Sequence, residues 1–358
     1  MIDNKYALIL AGGEGSRLWP ISTTNKPKQY LNLYSNNIMI NETIKRIENL
    51  FEYDDIFIIT SIKQKELAER YIDNRIPREN IIFEPLSKNT AMCIFYASIK
   101  ILKQKGNGTI TILSSDHYID EPKKLLDNIE EGIEIACKEE NLVTIGIKPT
   151  YPSTGFGYIK YDYREDLKYN VVKEFKEKPV YEKAEKYLES GKYYWNSGIF
   201  IWRISSILNN YKKFLPEIYK YKEQLANNTE NQKEVLKEIY KSVEPISIDK
   251  GILEKSNNIK MVKGEFEWLD IGSINDFFKI QEKKLKNNVK KDKIVIEDIE
   301  NCSIYNDDDN TMVAVVGTKD LNIINSNNVI LIANKDKMGK LPNLIAKIKY
   351  DKNLKEYL

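Results

Sequence analysis

Between residues 6 and 147 this 358-residue chain alternates short apolar runs with longer amphipathic segments, and no other feature constrains its fold as tightly. Runs at 6–10, 55–60, 81–83, 109–113 and 142–147 read as buried strands, while 41–51, 64–71, 89–105 and 122–140 carry the 3.6-residue periodicity of helices. In the first of these helices Ile44, Ile47 and Leu50 share one side. Such alternation predicts an α/β fold, with a mostly parallel sheet covered by helices on both faces.

The middle third changes character. Runs at 157–161 and 171–175 read as antiparallel strands, 180–190 as a helix and 197–202 as another buried strand. Residues 204–241 are helical and strongly charged, with a break expected at Asn227 and Asn228, and read as a solvated helical insert. After about residue 283 the pattern turns to short β-runs at 294–296, 303–305, 311–316 and 328–333, separated by Asn- and Asp-rich turns such as 306–310. The expected division is therefore a main domain at 1–283 and a small all-β domain at 284–358.

A hydrophobic content of 42% is ample for a large core, and a net charge of +2 gives no general field to attract nucleic acid or membrane. The N-terminus lacks the succession of a signal peptide, and no apolar run approaches the roughly 20 residues that span a bilayer. A cytoplasmic location is expected. Cys93, Cys137 and Cys302 are far apart and show neither a CxxC pair nor a zinc spacing, so they read as reduced and structural.

Directly after the first run come Gly12, Gly13 and Gly15, then Arg17, then Lys28 beyond a turn at Pro27. Glycines let a backbone approach an anion and tolerate positive φ, Arg17 offers a planar fork for phosphate oxygens, and Lys28 a point charge. On the glycines alone a nucleotide site and an ordinary strand-to-helix turn fit equally. Trp19 and Pro20 make a poor start to the continuous helix of a dinucleotide fingerprint, and no Gly-Lys-Ser or Gly-Lys-Thr follows the glycines.

The run LAGGEGSRL with its downstream lysine resembles the signature of sugar-1-phosphate nucleotidylyltransferases. Trp19-Pro20-Ile21-Ser22 and Pro27-Lys28-Gln29 are similar to the mannose-1-phosphate guanylyltransferase branch. The resemblance implies a Rossmann-like, mixed, mostly parallel sheet flanked by helices. It also implies a C-terminal left-handed β-helix, although no clean hexapeptide repeat is visible. Leu10, Ala11, Gly12, Gly13 and Gly15 would line the nucleoside triphosphate. The chain also ends short of the fused isomerase domain of some longer relatives, so a single activity is expected.

Five further stretches match the family in order. Glu84-Pro85-Leu86-Ser87-Lys88-Asn89-Thr90-Ala91 opens the helix to residue 105. Read from the residues, Asn89 or Thr90 caps that helix; by resemblance the stretch lies along the nucleotide, with Glu84 suited to accept from guanine N1 and N2. Asp116 follows a strand end, where ligands of open α/β sheets gather, and Asp270 lies in Trp268-Leu269-Asp270-Ile271-Gly272. Each is by itself an ordinary turn or cap residue; the family carries both as metal ligands, and two carboxylates plus phosphate oxygens suit Mg²⁺. His117, the lone histidine, reads as structural.

Tyr151 to Ile159, with Gly155 and Gly157, resembles the PxTGYGYI turn on which a sugar ring rests. Glu177-Lys178-Pro179 and Trp195-Asn196-Ser197-Gly198 complete the sugar-phosphate site by resemblance: Glu177 and Asn196 to the hydroxyls, Lys178 to the phosphate. Without the family, Glu177 and Lys178 read as part of a solvated charge run. In Ile248-Asp249-Lys250-Gly251-Ile252-Leu253-Glu254-Lys255 Asp249 is expected to cap a helix packed near the sugar pocket.

The implied reaction is transfer of GMP from GTP to mannose 1-phosphate, giving GDP-mannose and pyrophosphate by in-line attack on the α-phosphorus with Mg²⁺ assistance. Arg17 would hold the pyrophosphate, Lys28 the α-phosphate and Lys178 the incoming phosphate. Alternatives are another sugar 1-phosphate (glucose or heptose) or another nucleotide, a non-catalytic nucleotide-sensing relative, and a dinucleotide-dependent oxidoreductase. A homodimer is the partner that relatives suggest.

Overall fold

Residues 4–13, 15–138, 140–162, 169–227, 231–284 and 293–358 are described by the structure, a computed structural model. The first apolar run forms β1 (Lys5–Leu10), in which Ala7, Leu8 and Ile9 are all buried. A strand with two apolar faces needs cover on both, which helices supply. In chain order follow β2 (Ile56–Ser61), β3 (Ile81–Glu84), β4 (Thr109–Ser114), β5 (His117–Ile119), β6 (Leu142–Ile147), β7 (Tyr158–Asp162), β8 (Asn170–Lys176), β9 (Tyr193–Arg203) and β10 (Ile259–Gly264).

All of these except β5 form one nine-stranded sheet in the order β3-β2-β1-β4-β9-β6-β10-β8-β7, with β7 also pairing to β9. β1 runs parallel to β2 and β4, β2 to β3, and β6 to β10. β9 is antiparallel to β4, β6 and β7, and β8 to β7 and β10. Only β8 and β9 therefore oppose the rest, which is the mixed, mostly parallel sheet that the alternation predicts.

Packing gathers the chain into two units, each discontinuous in sequence. The first comprises Met1–Gly12, Thr43–Ser115 and Ile119–Trp268 and contains the whole sheet. Tyr6, Leu8, Phe57, Phe95, Ile112 and Trp202 belong to its core. The region expected as a solvated insert is part of that core, a correction to the sequence reading. Ile204, Ile207, Leu208 and Tyr211 fall on one face of the helix Ile204–Phe214 and are buried, as are Ile218, Leu225, Ile239 and Tyr240 beyond it. Charge on the opposite face conceals this stripe in the composition, while the i, i+3, i+4, i+7 spacing reveals it. That helix stops before Pro216, and of the break expected at Asn227 and Asn228 the second residue lies outside the described residues.

The second unit comprises Gly13–Glu42, Asp116–Tyr118 and Leu269–Leu358. Following β11 (Trp268–Asp270), its strands are β12 (Ile294–Glu300), β13 (Ser303–Asn306), β14 (Val313–Lys319), β15 (Leu321–Ser326) and β16 (Val329–Asn334). β12 pairs in parallel with β14 and β13 with β15, and both pairs shift register by 19 residues, from Ile294 to Val313 and from Ser303 to Asn322. β16 returns antiparallel to β15. A helix at Leu341–Tyr350 follows, so this end of the chain is not all-β as expected.

Leu18, Trp19, Ile21, Leu31, Phe277, Ile324 and Leu331 share the second unit's core. Trp19 Nε1 donates to the Tyr357 carbonyl at 2.7 Å, and Asn327 Nδ2 to the Pro20 carbonyl at 2.7 Å. The segment after the glycines is thus packed by residues far along the chain. Among the described residues, no helix is long and apolar enough to cross a membrane, and Cys93, Cys137 and Cys302 form no disulfide.

Glu84 ends β3 at only 6% exposure. The Tyr240 hydroxyl donates to its Oε1 at 2.9 Å, and the Cys93 thiol also bonds it, yet burial dominates and raises the carboxyl from 4.5 to about 7. Unfolded Glu84 ionises near its ordinary value, so between there and about pH 7 folding takes up a proton. The stabilisation is complete below the unfolded pKa and disappears as pH rises through the folded one. Relative to Glu84→Gln, the wild type is expected to lose on the order of 3 kcal/mol between pH 4.5 and 7.5. Urea midpoints across that range check this, and parallel pH dependence of the two proteins contradicts it.

A second test concerns packing. At Gly108 an added Cβ would lie 2.4 Å from the Asn4 carbonyl oxygen and 2.7 Å from the Tyr6 ring, whereas at Gly339 it would meet nothing within 4 Å. Gly108→Ala is expected to destabilise by about 1–3 kcal/mol, and Gly339→Ala to be neutral or to stabilise by up to about 1 kcal/mol, read as shifts in the urea midpoint.

Candidate active site

In the second unit the glycine-rich segment does not continue into a helix. Ser16–Leu18 form one 3₁₀ turn, and Lys28–Tyr30 another after Pro27. Gly15 adopts φ +68, and a Cβ there would lie 2.6 Å from Lys28 Cβ. Only glycine satisfies both the left-handed backbone and the close approach of Lys28. Gln29 Nε2 donates to the Gly13 carbonyl at 3.0 Å and Ser22 Oγ to the Gly15 carbonyl at 2.5 Å, which fixes the loop from below.

Lys28, buried at 4% exposure, directs its ammonium to Asp116 Oδ2 at 2.7 Å and Asp270 Oδ1 at 3.5 Å. Asp116 lies between β4 and β5, and Asp270 ends β11. Arg17 is exposed, and its Nη1 and Asp270 Oδ2 lie 3.6 and 3.8 Å from the position that a Gly272 Cβ would take. Four residues that the sequence separates by more than 250 positions thus stand in one cluster, with a cation already held between two acids. His117, beside Asp116, is buried.

Other expected nucleotide residues stand in the first unit, where their polar groups are largely engaged. The Leu10 carbonyl accepts from Ser115 N, and Ala11 exchanges bonds with Ile59 and Thr60. Glu84 Oε2 lies 3.6 Å from the position of a Gly12 Cβ while Oε1 is held by Tyr240. Asn89 sits at φ 65 and accepts from Thr90 N through Oδ1. Thr90 Oγ1 accepts from Ile248 N at 2.9 Å, so it ties the helix start to the 246–248 segment instead of capping the helix.

The expected sugar-phosphate residues converge around Gly157 in the first unit. A Cβ there would fall 2.6 Å from Glu177 Oε2 and 3.4 Å from Asn196 Cβ, so a side chain at this position would displace the Glu177 carboxylate. Asn196 N donates to the Gly157 carbonyl at 2.8 Å. Lys178, exposed and at φ 47, places its ammonium 3.4 Å from Glu177 Oε1. The Glu177 amide donates to Glu254 Oε1 at 3.0 Å.

Asp249 is the residue that sequence reasoning misplaced. It starts a single π-helical turn, Asp249–Leu253, with no side-chain cap, and its Oδ1 accepts from Asn196 Nδ2 at 3.0 Å. Burial, and then the Glu177 charge, raise its carboxyl from 3.8 to about 7 against the pull of its own amide, Lys178 and Asn196. A cap signature cannot announce this, because the partner lies 53 residues away on β9.

Known proteins resemble this chain in sequence and in structure. The sequence model of the nucleotidyl transferase family matches residues 6–287. Mannose-1-phosphate guanylyltransferase of Salmonella montevideo is 33% identical over 354 residues, spanning 96% of this chain and 74% of the relative. The enzyme of the same name from Klebsiella pneumoniae is 32% identical over 337 residues, spanning 92% of this chain and 71% of the relative. Among solved structures, one described as a mannose-1-phosphate geranyltransferase from Thermus thermophilus superposes with a TM-score of 0.82 at 26% identity, covering 96% of this chain and 99% of that one. A Helicobacter pylori structure described as a mannose-6-phosphate isomerase gives 0.61 at 28% identity, covering 74% and 99%. The chain belongs to the nucleotidyl transferase family and is an enzyme of that class.

Proposed function

We propose that the protein transfers GMP from GTP to mannose 1-phosphate, forming GDP-mannose and releasing pyrophosphate. The observation that carries this reading is the Lys28–Asp116–Asp270 cluster with Arg17 beside it. The names of relatives at 32–33% identity support guanine and mannose.

The donor set fits Mg²⁺. Two hard carboxylate oxygens face a spot that already accommodates a cation, and among the described residues no group of three or more His, Cys, Asp or Glu forms a metal cluster. An ion at Asp116 and Asp270 would draw its remaining ligands from phosphate and water, as Mg²⁺ does. When bound, the ion supplies charge neutralisation to the phosphate oxygens.

The chain's own groups then position and neutralise, which is most of what phosphoryl-type transfer asks of a protein. Lys28, freed from its carboxylates, carries its charge to the α-phosphate, and Arg17 takes the leaving pyrophosphate with its planar fork. Lys178 neutralises the sugar phosphate, while Glu177 accepts from and Asn196 donates to the sugar hydroxyls. One oxygen of the sugar phosphate attacks the α-phosphorus, and the bond to pyrophosphate breaks with its electron pair leaving on the pyrophosphate oxygen. The constant 19-residue register shift of β12–β15 supports reading these strands as coils of a short β-helix.

A matrix of nucleoside triphosphates against sugar 1-phosphates, followed by pyrophosphate release, tests the assignment. GTP with mannose 1-phosphate is expected to give the highest kcat/KM; preference for glucose or heptose phosphates, or for another base, reassigns the substrate, and GTP binding without turnover on any sugar phosphate makes the protein a sensor. In the same assay Asp116→Asn and Asp270→Asn are each expected to lower kcat by about 10²-fold or more. Activity of both variants equal to wild type at saturating Mg²⁺ removes the metal assignment.

A further inference from the structure

We propose that Asp249 is a positioning residue that locks the Asn196 carboxamide in one orientation, making it an obligate hydrogen-bond donor to the sugar phosphate. The inference rests on the reading of Glu177 and Asn196 as sugar-contacting residues and adds a residue to that site.

A carboxamide presents an oxygen that accepts and a nitrogen that donates two hydrogens, and rotation by half a turn exchanges them. Two neighbours of Asn196 decide between the two states, and a third fits either. Gly198 N can only donate, and it lies 3.2 Å from Oδ1. The Thr144 hydroxyl lies 3.1 Å from the same oxygen and 3.3 Å from the Ile199 carbonyl, and with one hydrogen and two lone pairs it accommodates either amide orientation. On the other side Asp249 Oδ1 stands 3.0 Å from Nδ2, and this oxygen accepts whether the carboxyl is ionised or carries its proton on Oδ2. Gly198 N and the Thr144 hydroxyl thus flank the amide oxygen, and one of the two amide hydrogens is taken. What remains for a ligand is a single N–H.

The backbone holds this orientation in place. Asn196 is anchored on β9 through its amide bond to the Gly157 carbonyl, and the same Gly157 keeps open the space into which Glu177 Oε2 projects. A fixed donor and a carboxylate acceptor therefore flank one glycine, an arrangement that suits two neighbouring hydroxyls of a sugar ring, one accepting and one donating. Asp249 bonds the donor directly, and its contact with the acceptor is the charge repulsion between the two carboxylates. Without it the amide nitrogen loses its partner, and the amide is left with weaker reason to present N–H over oxygen to the ring.

Steady-state kinetics with GTP and mannose 1-phosphate test this. Asp249→Ala is expected to raise KM for mannose 1-phosphate about tenfold or more, the range for losing a hydrogen bond to a charged group, and to leave KM for GTP within about twofold. Asp249→Asn retains a carbonyl acceptor and is expected to recover most of that loss, which a role in charge alone does not produce, while an unchanged Tm and an unchanged KM for GTP in Asp249→Ala separate the effect from packing. Discrimination between mannose 1-phosphate and glucose 1-phosphate is expected to narrow in Asp249→Ala. The inference is overturned if Asp249→Ala leaves the KM for mannose 1-phosphate unchanged, if both KM values rise together with a fall in Tm, or if Asp249→Asn is as impaired as Asp249→Ala. Wild-type protein without turnover on any sugar 1-phosphate removes the proposed function and this inference with it, whereas normal wild-type turnover with an unaltered alanine variant removes the inference alone.

Discussion

A single lysine ammonium, enclosed by protein and shared between two carboxylates, sets the geometry of the second unit. A charge as buried as that of Lys28 is tolerable only when it is paired, and Asp116 and Asp270 pair it. Its placement dictates the rest of the loop. Gly15 must lack a Cβ for Lys28 to approach, Gln29 must turn back to the Gly13 carbonyl, and Arg17 is left projecting beside Gly272. Trp19 and Pro20, held by Tyr357 and Asn327, anchor the segment between Arg17 and Lys28. Because the lysine already neutralises the acids, a metal-bound triphosphate can take over that neutralisation without leaving an uncompensated charge.

Much of the architecture was legible because it depends on local periodicity. The helix Asn89–Lys105 and the strand Leu142–Ile147 have the bounds that their apolar patterns predict. The loop was legible too, since Trp19 and Pro20 exclude a continuous helix and the chain makes a 3₁₀ turn there. Elements whose partners are remote were harder to see. β15 buries Asn322, Asn325 and Ser326, which no hydrophobic pattern announces, because Asn325 bonds Asn306 and Asn322 bonds Asn275. Nor does sequence order reveal that residues 13–42 pack with residues beyond 269.

Within the first unit, two carboxyls are raised to about 7 by burial and differ in what they touch. Glu84 faces Tyr240 and Cys93 and stands under Gly12, so its sequence-based role as an acceptor for guanine gains nothing from its surroundings. Asp249 faces Asn196 and feels Glu177, so it belongs with the groups around Gly157. A motif match identifies which residues recur, and burial with hydrogen-bond direction then distinguishes a carboxyl that supports a loop from one that orients a neighbour.

The central claim is that Asp116 and Asp270, held by Lys28, receive the metal of a bound nucleotide. Calorimetric titration of GTP into wild-type protein and into the Asp116→Asn/Asp270→Asn double variant, each with and without Mg²⁺, addresses it without relying on turnover. The expected result is that Mg²⁺ tightens GTP binding to the wild type and has no such effect on the double variant. Equal tightening of both proteins by Mg²⁺ would contradict it.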